Sequence, residues 1–192
     1  GSNSYWPNAT YWPMQIPGSP NRFVAIVSGH HGVNRAGYPV LFDVTEGRRE
    51  TSGVVQRFPG RGKTVENVIM DGLVNDEWPK YAAAFPLAEG PENKGAGKYF
   101  LASRQTDAQS GWDLVLLDAF DNVTTIRPWE KAPDGEKIGY MTGRTLMKRP
   151  VPRVIPDKVD PAETNATLYL VNLYVGDGLK NFPEGSVKAL RV

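Results

Sequence analysis

Apolar and polar positions along this chain fall into short alternating runs, and two groups of runs form a matched pair. The first group is RFVAIVSG…YPVLFDVTEG: an apolar run at Phe23–Val27, a polar loop, and a second run at Tyr38–Val44 that closes on Asp43 and Glu46-Gly47. The second is GKYFLASR…WDLVLLDAFDN, with the same succession ending on Asp118 and Asp121-Asn122. Ser28 precedes Asp43 by 15 residues, as Ser103 precedes Asp118, and a shift of 75 places Val24 on Tyr99, Ile26 on Leu101, Val40 on Val115 and Leu41 on Leu116. Short apolar runs rich in β-branched and aromatic residues and bounded by turn residues predict strands. An acidic turn after the second strand predicts a hairpin. A third strand is expected in each unit, at Gly53–Arg57 and at Val123–Arg127.

The flanking segments are less regular. Tyr5-Trp6-Pro7 and Tyr11-Trp12-Pro13 put aromatics beside proline, which biases the preceding residue to extended backbone, so this stretch reads as an extended lead-in packed on a sheet. Tyr81–Leu87 leads into the second unit as Tyr11–Ile16 leads into the first. The proline-rich run Arg149–Pro161 reads as a rigid extended segment lying across the sheet. Thr167–Val175 (TLYLVNLYV) and Ser186–Val192 (SVKALRV) alternate well enough to predict a C-terminal strand pair. The expected fold is all-β: two propeller-like blade units about 75 residues apart plus that strand pair, arranged as a sandwich or as a partial propeller. The expected organisation is one all-β domain over 1–192, with units at about 11–58 and 81–127 and a C-terminal segment at about 145–192, within a longer chain.

Composition narrows the chemistry. Twenty-two basic residues against 21 acidic leave a formal charge of +1, which gives no electrostatic reason to expect nucleic acid. Sixteen prolines and 20 glycines favour short strands with turns over long helices. With no cysteine, disulfides, thiolate catalysis, zinc–cysteine sites and covalent c-type haem are excluded. No apolar run is long enough for a membrane-spanning helix.

The candidate chemistry is sparse. His30-His31 in the turn SGHHG is the first candidate for a metal ligand or base, although no second histidine pair stands at a metal-binding spacing, and hydrogen bonding within the loop is the simpler role. Arg35, in the same loop, Trp112 at the start of a strand, and Asp157 and Asp160 in IPDKVDP complete the set of candidate ligand-binding residues. Gly60-Arg61-Gly62-Lys63-Thr64 resembles a phosphate loop, but the pattern needs glycine where Arg57 stands. Asp43, Asp118 and Asp121, at strand ends, are expected to accept backbone N–H groups of the following turn. No calcium loop and no nucleophile elbow is present, so no catalytic residue is assigned and no cofactor is called for. Trp6, Trp12, Trp78 and Trp112 are the stacking platforms if the ligand is a carbohydrate.

The strings FVAIVSGHHGVNRAG, GVVQRFPG, WDLVLLDAFDN, PRVIPDKVDP and LYLVNLYVGDGLKNFPEGSVKALRV together resemble the middle domain of the hydrazine synthase alpha subunit and its haem-less relatives. The resemblance implies a β-rich module of a larger exported bacterial protein, hence an extracytoplasmic location and neighbouring domains as partners. It does not carry the synthase chemistry, because covalent haem needs a Cys-x-x-Cys-His motif and this chain has no cysteine. The expected function is a non-catalytic scaffold or interaction module. The alternatives are a carbohydrate-binding or carbohydrate-active protein and a metal site at His30-His31.

Overall fold

The computed structural model describes residues 9–29, 35–61, 74, 76–88, 96–146, 151, 153–175 and 178–191. The chain divides into two compact units, Gly1–Met147 and Lys148–Val192. In the first, the described strands are β1 (Ala9–Gln15), β2 (Arg22–Ser28), β3 (Tyr38–Asp43), β4 (Val54–Arg57), β5 (Lys80–Pro86), β6 (Tyr99–Gln105), β7 (Asp113–Asp118), β8 (Val123–Arg127), β9 (Glu130–Lys131) and β10 (Lys137–Ile138). They form two open four-stranded antiparallel meanders, β1-β2-β3-β4 and β5-β6-β7-β8, and a small β9–β10 hairpin. The fold is all-β.

The expected repeat is therefore present, with one more strand per unit than the alternation predicts. The supposed lead-ins are β1 and β5, the first strands of the two sheets. Pro13 is tolerated inside β1 because it sits in a bulge: Trp12 and Pro13 lie between the paired positions Tyr11↔Ile26 and Met14↔Val24. β5 carries the same irregularity, with Ala83 and Ala84 between Ala82↔Ser103 and Phe85↔Leu101. Trp12 and Ala83 both adopt left-handed backbone, at φ 56° and 50°.

The packing of the sheets is directional. The main core joins Val24, Ile26, Leu41 and Phe58 of the first sheet to Phe100, Ala102, Val115 and Leu117 of the second. Side chains alternate across a strand, so Val24, Ile26 and Leu41 share one face. Their partners under the 75-residue shift are Tyr99, Leu101 and Leu116, yet the core takes the residues between these. The sheets thus stack with unlike faces together, where a facing sandwich of two repeats would join like faces. Val27, Tyr38 and Val40, on the other face of the first sheet, form a second cluster with Val74 from the β4–β5 connection. Close fits at Gly139 against Trp112 and Gly143 against the Leu114 side chain bring the segment after β10 onto the other face of the second sheet.

Asp43 and Asp118 do what their strand-end positions predict. Asp43 accepts the Thr45 N–H at 3.0 Å, and Asp118 accepts those of Phe120 and Asn122 at 2.8 and 2.9 Å. Hydrogen bonds from Thr45 hold the Asp43 carboxyl below its ordinary range. Burial raises that of Asp118, but the side-chain and backbone donors of Asn122 and the Phe120 N–H together lower it. A carboxyl whose folded pKa is depressed stabilises the fold above its unfolded pKa, near 4, and loses that contribution as pH falls through the folded value. Thermal melts between about pH 6 and pH 2 are expected to show a falling midpoint at the acid end, with a smaller fall in the Asp43→Asn/Asp118→Asn double variant.

In the second unit the predicted strand pair is not formed. The described residues of 167–175 and 186–191 carry no strand ladder, and Leu168, Tyr169 and Val171 are exposed. Alternation makes a segment able to be a strand, but a strand exists only when its N–H and C=O groups meet a partner's. A local turn takes one of those donors instead, the Tyr174 N–H, which Asn172 accepts at 2.8 Å. Upstream, Asp157 and Asp160 accept in the same way from Val159 and Ala162 at 2.9 and 3.0 Å.

Candidate functional site

A charged and aromatic cavity lies where β4 ends and β5 begins, beside β3. Among the described residues its walls are Tyr38, Arg57, Pro59, Gly60, Arg61, Glu77, Trp78, Pro79 and Tyr81, around about 120 Å³. Tyr38 opens β3, Arg57 ends β4, and Tyr81 stands near the start of β5, so three strands converge on it. Gly37 and Tyr81 exchange backbone hydrogen bonds of 3.0 and 2.7 Å, which tie the loop before β3 to the second sheet. The peptide bonds Phe58-Pro59 and Trp78-Pro79 at its rim are both cis.

Arg57 is the central group. Its side chain is 7% exposed, its guanidinium lies 3.8 Å from the Tyr38 ring centroid, and it pairs with Glu77. Lys80 places its ammonium 4.1 Å over the Trp78 ring. Burial holds Lys80 below the ordinary lysine range, with Asp76 opposing that shift. Burial raises the Tyr81 phenol, and the positive charges of Arg104, Arg61 and Arg57 oppose that shift. Arg104 pairs with Asp113 at 2.7 Å.

Asp121 builds the mouth. It departs from its expected role as a local turn acceptor and takes the N–H groups of Gly60 and Arg61 from the other sheet, at 2.7 and 2.8 Å. Arg61 is thereby held in left-handed backbone at φ 49°. Asp121→Ala is expected to cost about 1–2 kcal/mol, since the carboxylate is only half-buried and each bond to a charged acceptor contributes at most about 1.5–3. Faster amide exchange at Gly60 and Arg61 is the check.

A second cavity of about 150 Å³ is lined by Trp12-Pro13-Met14, Ala83-Ala84-Phe85 and Thr142-Gly143-Arg144. Each triplet opens on a residue with left-handed backbone, Thr142 at φ 54° matching Trp12 and Ala83. Thr142 thus shares the left-handed backbone found at the bulges of β1 and β5.

Of the residues singled out from sequence, His30 and His31 lie outside the described residues, as does Trp6. Arg35 is exposed. Trp112 packs against Gly139, and Asp157 and Asp160 cap their own turns in the second unit. Among the described residues no group of three or more His, Asp or Glu side chains is placed to hold a metal ion. None of the described helical residues forms a helix long and apolar enough to cross a membrane. Sequence reasoning missed Arg57, Glu77 and Tyr81. Arg57 and Glu77 share one signal, a charged residue before an aromatic-proline pair, in Arg57-Phe58-Pro59 and Glu77-Trp78-Pro79; Tyr81 carries none. Comparison with protein-family models, curated proteins and solved structures finds no match.

Proposed function

We propose that this chain is a non-catalytic scaffold or interaction module made of propeller-like blade units, akin to the hydrazine synthase alpha middle domain without its haem and acting outside the cytoplasm beside neighbouring domains. The supporting observation is the unlike-face stacking of two four-stranded meanders. Such stacking is open-ended, as in blades around an axis, whereas a sandwich of like faces closes on itself. The left-handed Thr142, which lines one cavity together with Trp12 of β1 and Ala83 of β5, is consistent with that reading.

The reading is tested on the chain as it stands, with chromogenic glycoside, ester and phosphate substrates. No turnover above buffer is expected. Turnover abolished by Glu77→Gln or His31→Ala would replace it with an enzyme. Carbohydrate binding is the second reading, favoured by Trp12, which is 41% exposed at the edge of the cavity between the three triplets. A glycan array with a hit lost in Trp12→Ala would establish it.

A further inference from the structure

We propose that the cavity around Arg57 is a binding site for a small organic monocarboxylate. Two arginines line it, and one of them, Arg57, is already matched by Glu77. Arg61 has no carboxylate partner among the described residues. It is nonetheless held at the mouth by the two backbone hydrogen bonds to Asp121, rather than swinging on a free loop. Among the described residues the Arg61 guanidinium is therefore free of an ion pair on an anchored backbone, although the Asp121 carboxylate stands at the same mouth, and the Tyr81 phenol lines the same cavity. A carboxylate on a ligand can pair with that guanidinium.

The walls narrow the ligand further. A guanidinium presents a planar fork that fits a carboxylate edge-on, and Tyr81 supplies an O–H donor from the side. Glu77 lines the same space, so a doubly charged phosphate would meet repulsion that a monocarboxylate meets in smaller measure. The rings of Tyr38 and Trp78 and the two prolines offer apolar surface for the rest of the molecule. A volume of about 120 Å³ equals the liquid share of about four waters, room for a carboxylate and a few further heavy atoms. Glycolate and lactate are of that size, and so is the carboxylate end of a uronic acid.

The test is titration calorimetry of the whole chain at low salt with glycolate, glucuronate, sulfate and inorganic phosphate as separate probes. Saturable binding of glycolate in the millimolar range or tighter is expected, weakened roughly tenfold or more by Arg61→Ala, which removes one charge-assisted contact. Arg61 is exposed, so that variant is expected to melt like the parent; Tyr81→Phe serves as the second variant, with a smaller loss. Glucuronate binding with the same dependence on Arg61 would identify a sugar acid as the source of the carboxylate, and its failure would identify a free acid. No saturable glycolate heat, or binding indifferent to both variants, would overturn the proposal. So would equal or tighter binding of phosphate or sulfate with the same Arg61 dependence, since the site would then select charge and not the carboxylate.

Discussion

Phe100→Ala is expected to destabilise the first unit by about 3–5 kcal/mol, the range for a fully buried phenylalanine truncated in a packed core. Phe100 is 0% exposed, and its ring centroid lies 4.5 Å from that of Phe58, which is also fully buried. One ring comes from each sheet, so the truncation empties the seam where the sheets meet rather than a site within one of them. Domains of this size hold about 5–15 kcal/mol in total, and the loss is a large part of that. Urea unfolding followed by tryptophan fluorescence measures it. Phe120→Ala is the control, because Phe120 is 72% exposed and its removal is expected to change stability by under about 0.5 kcal/mol.

Gly37→Val is the second large effect. A Cβ at this position would collide with the carbonyl oxygen of Val27, a backbone atom that cannot rotate away. Overpacking costs roughly 1–3 kcal/mol, and displacing Gly37 also disturbs its two hydrogen bonds with Tyr81, each contributing about 1. The expected total is about 3 kcal/mol or more. Because the same bonds seat Tyr81 beside Arg57, carboxylate binding should weaken along with stability. Gly178→Ala makes the comparison, since nothing lies within 4 Å of the added methyl. Denaturant midpoints that fall equally in the two variants would show that close approach at Gly37 is not what the fold depends on.

The strands of the repeat were legible because alternation and a strand-end aspartate are local signals. Asp43 and Asp118 organise their turns through residues two to four positions away, and the distant Arg22 only approaches Asp43 at 3.9 Å without displacing those bonds. β1 was harder to read, since proline inside a run argues against a strand; the bulge at Trp12-Pro13 resolves the conflict by leaving Pro13 out of the ladder. The manner of stacking was not legible. Leu116 and Leu117 are equally apolar, and only packing shows that Leu117 enters the seam while Leu116 stays half-buried on the other face. The strand expected at 167–175 failed for the complementary reason, as its alternation is real but no described segment pairs with it. The site was least legible of all. Arg57, Glu77 and Tyr81 meet only because β4 and β5 come together beside β3, and the histidine pair that drew attention in the sequence lies outside the described residues.

The stacking of unlike faces underlies both the proposed module and the placing of the cavity, and a NOESY spectrum of the isotope-labelled chain tests it most directly. Cross-peaks are expected between the Phe58 and Phe100 rings, and from the Val24, Ile26 and Leu41 methyls to the group formed by Ala102, Val115 and Leu117. Cross-peaks from Ile26 and Leu41 to Leu101, Leu114 and Leu116 instead would mean that like faces meet, which would contradict the account.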